Sequence, residues 1–188
     1  MPAWGSSIQN LGLGLPTRLL ASPAASILLP VALGSAVGWS LSPSLTRKTY
    51  ESLKQPPLRP PSYIFAPAWT LLYTLMGYSI HHFHSNHALH PSFPATSALF
   101  SVQLGLNLLW TPLFFGLEQP ALALADIVAL GGCITALTAN YFAAGDNVAG
   151  WCMVPYVAWV SFATYLNVGV GVLNGWDLRS KRADTKKE

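Results

Sequence analysis

The sequence predicts an all-α membrane protein, a bundle of five transmembrane helices, and three observations carry that expectation. Of 188 residues, 52% are hydrophobic and only 9% are charged, whereas a soluble globular domain carries roughly 25% charged residues. No Lys or Arg occurs between Arg59 and Arg179, and the charges in that interval are Glu118, Asp126, Asp146 and Asp177. Apolar stretches of about 20 residues recur between Pro, Gly and polar clusters, each long enough for one crossing of the hydrocarbon core. This composition excludes a soluble enzyme, a disordered chain and a basic nucleic-acid groove.

The elements follow in order. Residues 1–23 form an N-terminal extension whose single basic residue, Arg18, does not make a positive segment ahead of an apolar one; a secretory signal or Arg-rich presequence is therefore not expected. The first span covers residues 24–41 and carries Gly34 and Gly38 in GxxxG spacing, a face for close helix contact, within the chain or with a second copy. The second covers 63–83 and places Trp69 and Tyr73 one turn apart. The third covers 95–115; Gln103, Asn107 and Thr111 recur at i, i+4, i+8 and form a polar stripe beside Trp110. Such a stripe cannot face lipid. It either lines a ligand cavity or bonds neighbouring helices. Ser101 and Gly105 make a second pair of small residues on this span.

The fourth span covers 121–142. Asp126 lies inside it, where an ionised carboxylate costs roughly 2.5 to 3.5 kcal/mol and no in-span cation is available. It is expected to be a packing residue held by Asn, Trp, Tyr or backbone donors of adjacent helices. The fifth span covers 151–173 and contains Tyr156, Trp159 and Ala163. Residues 24–175 make up the bundle and 176–188 a basic tail. Trp39, Trp151 and Trp176 stand near span ends and suit interfacial anchors, whereas the mid-span rings suit either a flat apolar ligand or ordinary core packing.

Charge gives the topology. Arg47, Lys48, Lys54 and Arg59 lie in the first connection, and Arg179, Lys181, Arg182, Lys186 and Lys187 in the tail. Four spans separate the two segments, so both face the cytoplasm. All five histidines fall between His81 and His90. A metal or haem site is conceivable there, but no Cys or carboxylate accompanies them, and solvated loop polarity is the favoured reading. Cys133 and Cys152 read as small hydrophobes, and no metal site is expected.

Several segments resemble the signature of one family. They are Tyr50-Glu-Ser-Leu53-Lys-Gln-Pro56, Ala66-Pro67-Ala-Trp69-Thr-Leu-Leu-Tyr73, Leu106-Asn107-Leu-Leu-Trp110-Thr-Pro112, Ala123-Leu-Ala-Asp126 and Pro155-Tyr156-Val-Ala-Trp159-Val-Ser-Phe162-Ala163-Thr164-Tyr-Leu166-Asn167. In the same order they mark the translocator protein, or tryptophan-rich sensory protein, family (TspO/MBR), also called the peripheral benzodiazepine receptor. The resemblance implies a dimeric five-helix bundle with a pocket in each protomer for porphyrin, haem and benzodiazepine-site ligands, and in animal members for sterol. It places ligand contacts at Ala66, Pro67, Trp69, Tyr73, Asn107, Trp110, Trp159, Ala163 and Leu166. It implies the mitochondrial outer membrane, with the endoplasmic reticulum and Golgi or a bacterial envelope as alternatives.

Departures limit what is carried over. Val168 replaces the aromatic that belongs both to the family's sterol motif and to the pair linked to porphyrin breakdown, and no Lys or Arg follows Tyr165 closely. Leu58 and Leu122 replace two family tryptophans. The expected function is an integral membrane binding protein or translocator for porphyrin, haem and other flat apolar ligands, with no required cofactor and no nucleic-acid partner. The alternatives are a light- or oxidant-dependent porphyrin-degrading enzyme, and a structural tether.

Overall fold

A computed structural model of the chain describes residues 14–176 and Leu178. The basic tail, apart from Trp176 and Leu178, and the first half of the N-terminal extension lie outside the described residues. We label the α-helices α1 (Thr17–Ala21), α2 (Pro23–Ser40), α3 (Pro43–Ser52), α4 (Phe65–His87), α5 (Phe93–Thr111), α6 (Pro120–Ala143) and α7 (Asn147–Asn174). The five long ones, α2 and α4 to α7, are the five spans. Four of them are apolar enough to cross a membrane on length and mean hydropathy alone. The exception is α4, whose composition is diluted by Thr70, Thr74, Ser79 and the histidines.

Local chemistry sets the ends. The Ser22 hydroxyl accepts the Ala25 N–H at 3.3 Å and Pro23 opens α2, a position where the missing proline N–H costs nothing. Asp146 caps α7 by accepting the Ala149 N–H at 3.0 Å, so this helix starts at Asn147, one turn earlier than the apolar pattern predicts. At Pro112 the absent N–H interrupts the α ladder of α5, and the chain finishes in a π turn over Pro112–Gly116, closed by the Leu117 N–H on the Pro112 carbonyl.

The shared faces run α2–α4, α4–α7, α7–α6, α6–α5 and back to α2, a closed ring of five. Its two ends differ. At the far end, Leu20, Ile80, Phe83, Leu137, Tyr141, Ala149 and Met153 are fully buried in one cluster. The short α1, inside the N-terminal extension, contributes Leu20 to it, and the Leu20 carbonyl sits 2.8 Å from His81 Nδ1. At the other end, the basic end, the first connection folds onto α7. Asn174 Oδ1 accepts the Lys54 N–H at 2.9 Å and its Nδ2 donates to the Lys54 carbonyl at 2.7 Å, while Pro56 fills the space that a side chain at Gly169 would need. The Leu178 N–H bonds the Glu118 carbonyl, which puts the start of the tail at this same end, as the parity of the spans requires.

The histidine tract is not a loop. Helix α4 continues through His87, because the polar face of its last two turns finds partners. His82 Nδ1 lies 3.0 Å and His87 Nε2 3.8 Å from Asp146 Oδ2, and His87 stacks on Phe83. Asp146, 3% exposed, thus ties the end of α4 to the α6–α7 turn while capping α7. No group of three His, Cys, Asp or Glu is arranged to hold a metal among the described residues.

Candidate functional site

A cavity of about 470 Å³ lies inside the ring at the basic end, within the size range of small-molecule sites. All five long helices line it and α3 roofs it. Helix α4 offers Ala66, Trp69, Thr70 and Tyr73 at i, i+3, i+4, i+7, one face. Helix α5 offers Asn107, Trp110 and Thr111, and the π turn after it Phe114; α6 offers Ile127 and Leu130; α7 offers Trp159, Ala163, Leu166 and Asn167; α2 offers Gly34 and Gly38. Eight of the nine positions named from the sequence meet at this cavity. Pro67 does not line it; two residues before Trp69, it sits about 200° around the helix and is exposed.

The rings interlock edge to face, the geometry that aromatic quadrupoles favour. Trp69 stands 6.2 Å from Tyr156 at 73° and 6.4 Å from Trp159 at 83°, and Phe65 closes on Trp159 at 5.9 Å and 76°. On the opposite wall Trp110 stacks on Phe114 at 5.0 Å.

The polar stripe of α5 fixes this wall by bonding other helices. Tyr73 Oη donates to Asn107 Oδ1 at 2.7 Å, Asn107 Nδ2 donates to Tyr156 Oη at 2.8 Å, and Tyr156 Oη donates to Gln103 Oε1 at 3.2 Å. The chain therefore joins α4, α5 and α7 through Asn107. Trp110 Nε1 donates to Asn167 Oδ1 at 3.1 Å, and Asn167 Nδ2 donates to the Pro120 carbonyl at 2.9 Å. The two sequence readings of the stripe are thus combined in one residue. Asn107 is both a cavity wall and a helix tether, Gln103 is buried beneath the floor, and Thr111 borders the cavity.

Asp126 departs from expectation. It is 7% exposed, and neither carboxylate oxygen has a hydrogen-bond partner among the described residues. One step along α6 from the lining residue Ile127, its side chain is turned about 100° off the cavity face; Asn107 and Trp110 are bonded elsewhere, to Tyr156 and Asn167, and Trp159 Nε1, itself without a partner among the described residues, does not reach it.

Sequence reasoning missed the roof. Arg47, Tyr50, Thr46 and Gln55 line the cavity from α3 and the strand of chain after it. Arg47 Nε donates to Glu51 at 2.8 Å, and this bond holds the guanidinium above its ordinary pKa. Tyr50 Oη donates to the Pro60 carbonyl at 2.8 Å, and burial raises its hydroxyl pKa. The available signal was Pro43 after Ser42, which opens a ten-residue helix inside a connection that reads only as basic. The GxxxG pair of α2 also belongs here. A Cβ on Gly34 would lie 2.6 Å from the Tyr73 hydroxyl, so Gly34 makes room for a ring of its own chain.

The TspO/MBR family model matches residues 26–173. The chain is 42% identical over 149 residues to a translocator protein homolog of Schizosaccharomyces pombe, covering 78% of this chain and 88% of that one. It is 37% identical over 150 residues to the tryptophan-rich protein TspO of Archaeoglobus fulgidus, covering 80% and 95%. With the translocator protein of Bos taurus it shares 38% over 150 residues, covering 70% and 85%.

Proposed function

The chain belongs to the TspO/MBR family, and from that premise we propose that this integral, multi-pass membrane protein binds flat, mostly apolar ligands of the porphyrin and haem type, and sterols less well, in the cavity at its basic end. The single observation that carries the reading is the cavity wall: Trp69, Tyr73, Trp110 and Trp159 face one roofed space of about 470 Å³. The Tyr73 hydroxyl and the Trp110 N–H are turned into the helix-tethering network, and the cavity is lined largely with ring faces and aliphatic carbons. A flat ligand gains about 0.5–1.5 kcal/mol per well-placed ring beyond the area it buries.

The protein works as a receptor or carrier in a dimer, and the mitochondrial outer membrane is our proposed location. A porphyrin-degrading enzyme is disfavoured by Val168, which stands where the resemblance places a reactive aromatic and is exposed on the outer surface of α7, outside the cavity lining. The sterol motif is incomplete at the same point. The test is titration of the purified protein with protoporphyrin and with haem, following Trp fluorescence and the ligand spectrum. Saturable quenching with an intact spectrum supports binding; protein-dependent bleaching under light would replace the receptor with an enzyme, and no saturable quenching would remove both.

A further inference from the structure

We infer that the cavity is filled from within the membrane, through a side opening between α2 and α4 at the basic end, so that its ligands are compounds dissolved in the bilayer leaflet. The inference rests on the binding reading above and adds the phase from which the ligand comes.

Three walls of the cavity are closed. Below it, the far half of the ring is solid, with Met76, Ile80, Phe83 and Tyr141 at 0% exposure. Above it lies α3, anchored on the α7 side through the Lys54–Asn174 pair and through Tyr165 Oη donating to the Pro57 carbonyl at 3.0 Å. On the α5, α6 and α7 sides the helices are joined by the Asn107 and Asn167 bonds. Two seams remain, α2–α5 and α2–α4; no cavity-lining residue of α5 is exposed on the outside, whereas lining residues of both α2 and α4 are, which leaves the seam between α2 and α4.

Along that seam the two helices diverge. Near the far end their backbones touch: a Cβ on Gly77 would lie 2.6 Å from Ile27 Cα and 2.8 Å from the Ser26 carbonyl carbon. Further along, the Tyr73 ring stands between α4 and Gly34. One turn beyond, a Cβ on Gly38 would meet nothing within 4 Å. Six residues line the cavity and are also exposed on the outside of the protein, Ser35 and Trp39 on α2, Ala66 and Thr70 on α4, and Pro43 and Arg47 on α3 directly above them. Side chains satisfy both conditions where they form the rim of an opening.

The chemistry of the rim suits the interface. The four residues of α2 and α4 are uncharged, the Thr70 hydroxyl is returned to the Ala66 carbonyl at 2.9 Å, and Arg47 on α3 above them is paired with Glu51. Trp39, 79% exposed in the last turn of α2, is placed as an interfacial anchor. It sets the opening at the boundary of headgroups and acyl chains. A flat apolar compound concentrates at that boundary.

The experiment uses the full chain in lipid nanodiscs with protoporphyrin as probe, its own fluorescence giving association rate, dissociation rate and Kd. Ser35→Trp and Thr70→Trp narrow the rim from two different helices, both at exposed positions, so the test stands if one variant folds poorly. Leu28→Trp, exposed on α2 away from the cavity, is the control. An obstacle on the path raises one barrier for both directions, so the rim variants should slow association and dissociation together by about fivefold or more. Leu28→Trp should change neither rate. Unchanged rates in the folded rim variants would overturn the side opening, as would a weakened Kd with faster dissociation, which would make the rim a binding wall. Absence of saturable binding in the unmodified protein would instead defeat the binding reading, and the opening with it.

Discussion

Replacing Gly34 with Ala tests the packing logic of the cavity at one methyl group. The added Cβ would lie 2.6 Å from the Tyr73 hydroxyl and nearer still to the ring carbons beside it, inside any tolerable contact distance. The ring cannot yield freely, because its hydroxyl is held by Asn107 at 2.7 Å. Either α2 moves out or Tyr73 leaves its partner. Overpacking of this kind costs about 1–3 kcal/mol, and a lost hydrogen bond between membrane helices adds about 0.6 kcal/mol on average. For a chain of this length, each kcal/mol lowers Tm by about 2–4 °C. Gly34→Ala should therefore lower Tm by several degrees in detergent thermal unfolding. Tyr73→Ala in the same chain should remove most of that penalty, because the methyl group then enters vacated space. A Tm loss in Gly34→Ala that Tyr73→Ala leaves untouched, with loss of dimer on sizing, would refute the intrachain role and return Gly34 to a subunit contact.

Three further outcomes are expected. Trp69→Leu should weaken protoporphyrin binding several-fold, in line with about 0.5–1.5 kcal/mol for a stacked ring, with Tm nearly unchanged; equal affinity by fluorescence titration would remove Trp69 from the site. Asp126→Asn should keep ligand affinity and keep or raise Tm, since an uncharged amide escapes the cost of a buried carboxylate with no partner; a large affinity loss at constant Tm would make Asp126 a ligand contact. Asp146→Ala should lower Tm by removing the α7 cap, about 0.5–2 kcal/mol, together with its links to His82 and His87, while leaving Kd for protoporphyrin unchanged because the far end is distant from the cavity; a selective change in Kd would contradict that separation.

The fold was largely legible because burial in lipid writes itself on composition. Each span was found within a few residues, and the misplaced ends trace to local partners that hydropathy cannot see: Asp146 starts α7 early, and the same carboxylate, with Phe83, lets α4 run on through histidines. The cavity wall was legible where spacing put residues on one helix face, as for Trp69 and Tyr73, and failed where a motif was carried over without regard to face, as for Pro67. The roof was illegible since α3 is short, polar outside and set among prolines, so it offers no long apolar period to detect. Asp126 was misjudged for a related reason. Sequence reveals which donors exist, but which of them come within reach of the carboxylate is a property of the folded network.

The division of the ring into a solid half and a hollow half follows from where α2 and α4 keep small residues and what stands opposite them. Gly77 admits the backbone of α2 itself, at Ser26 and Ile27, so the helices close and the core fills. Gly34 admits a ring, and that ring is prevented from collapsing inward by Asn107, which is itself held by Tyr156. Beyond it Gly38 admits nothing. Tyr73 therefore acts as a wedge as well as a wall: its bulk sets the helix separation that gives the cavity its width, while its hydrogen bond keeps that bulk at the margin. A glycine spacing associated with helices drawn together serves here, with one aromatic interposed, to hold them apart.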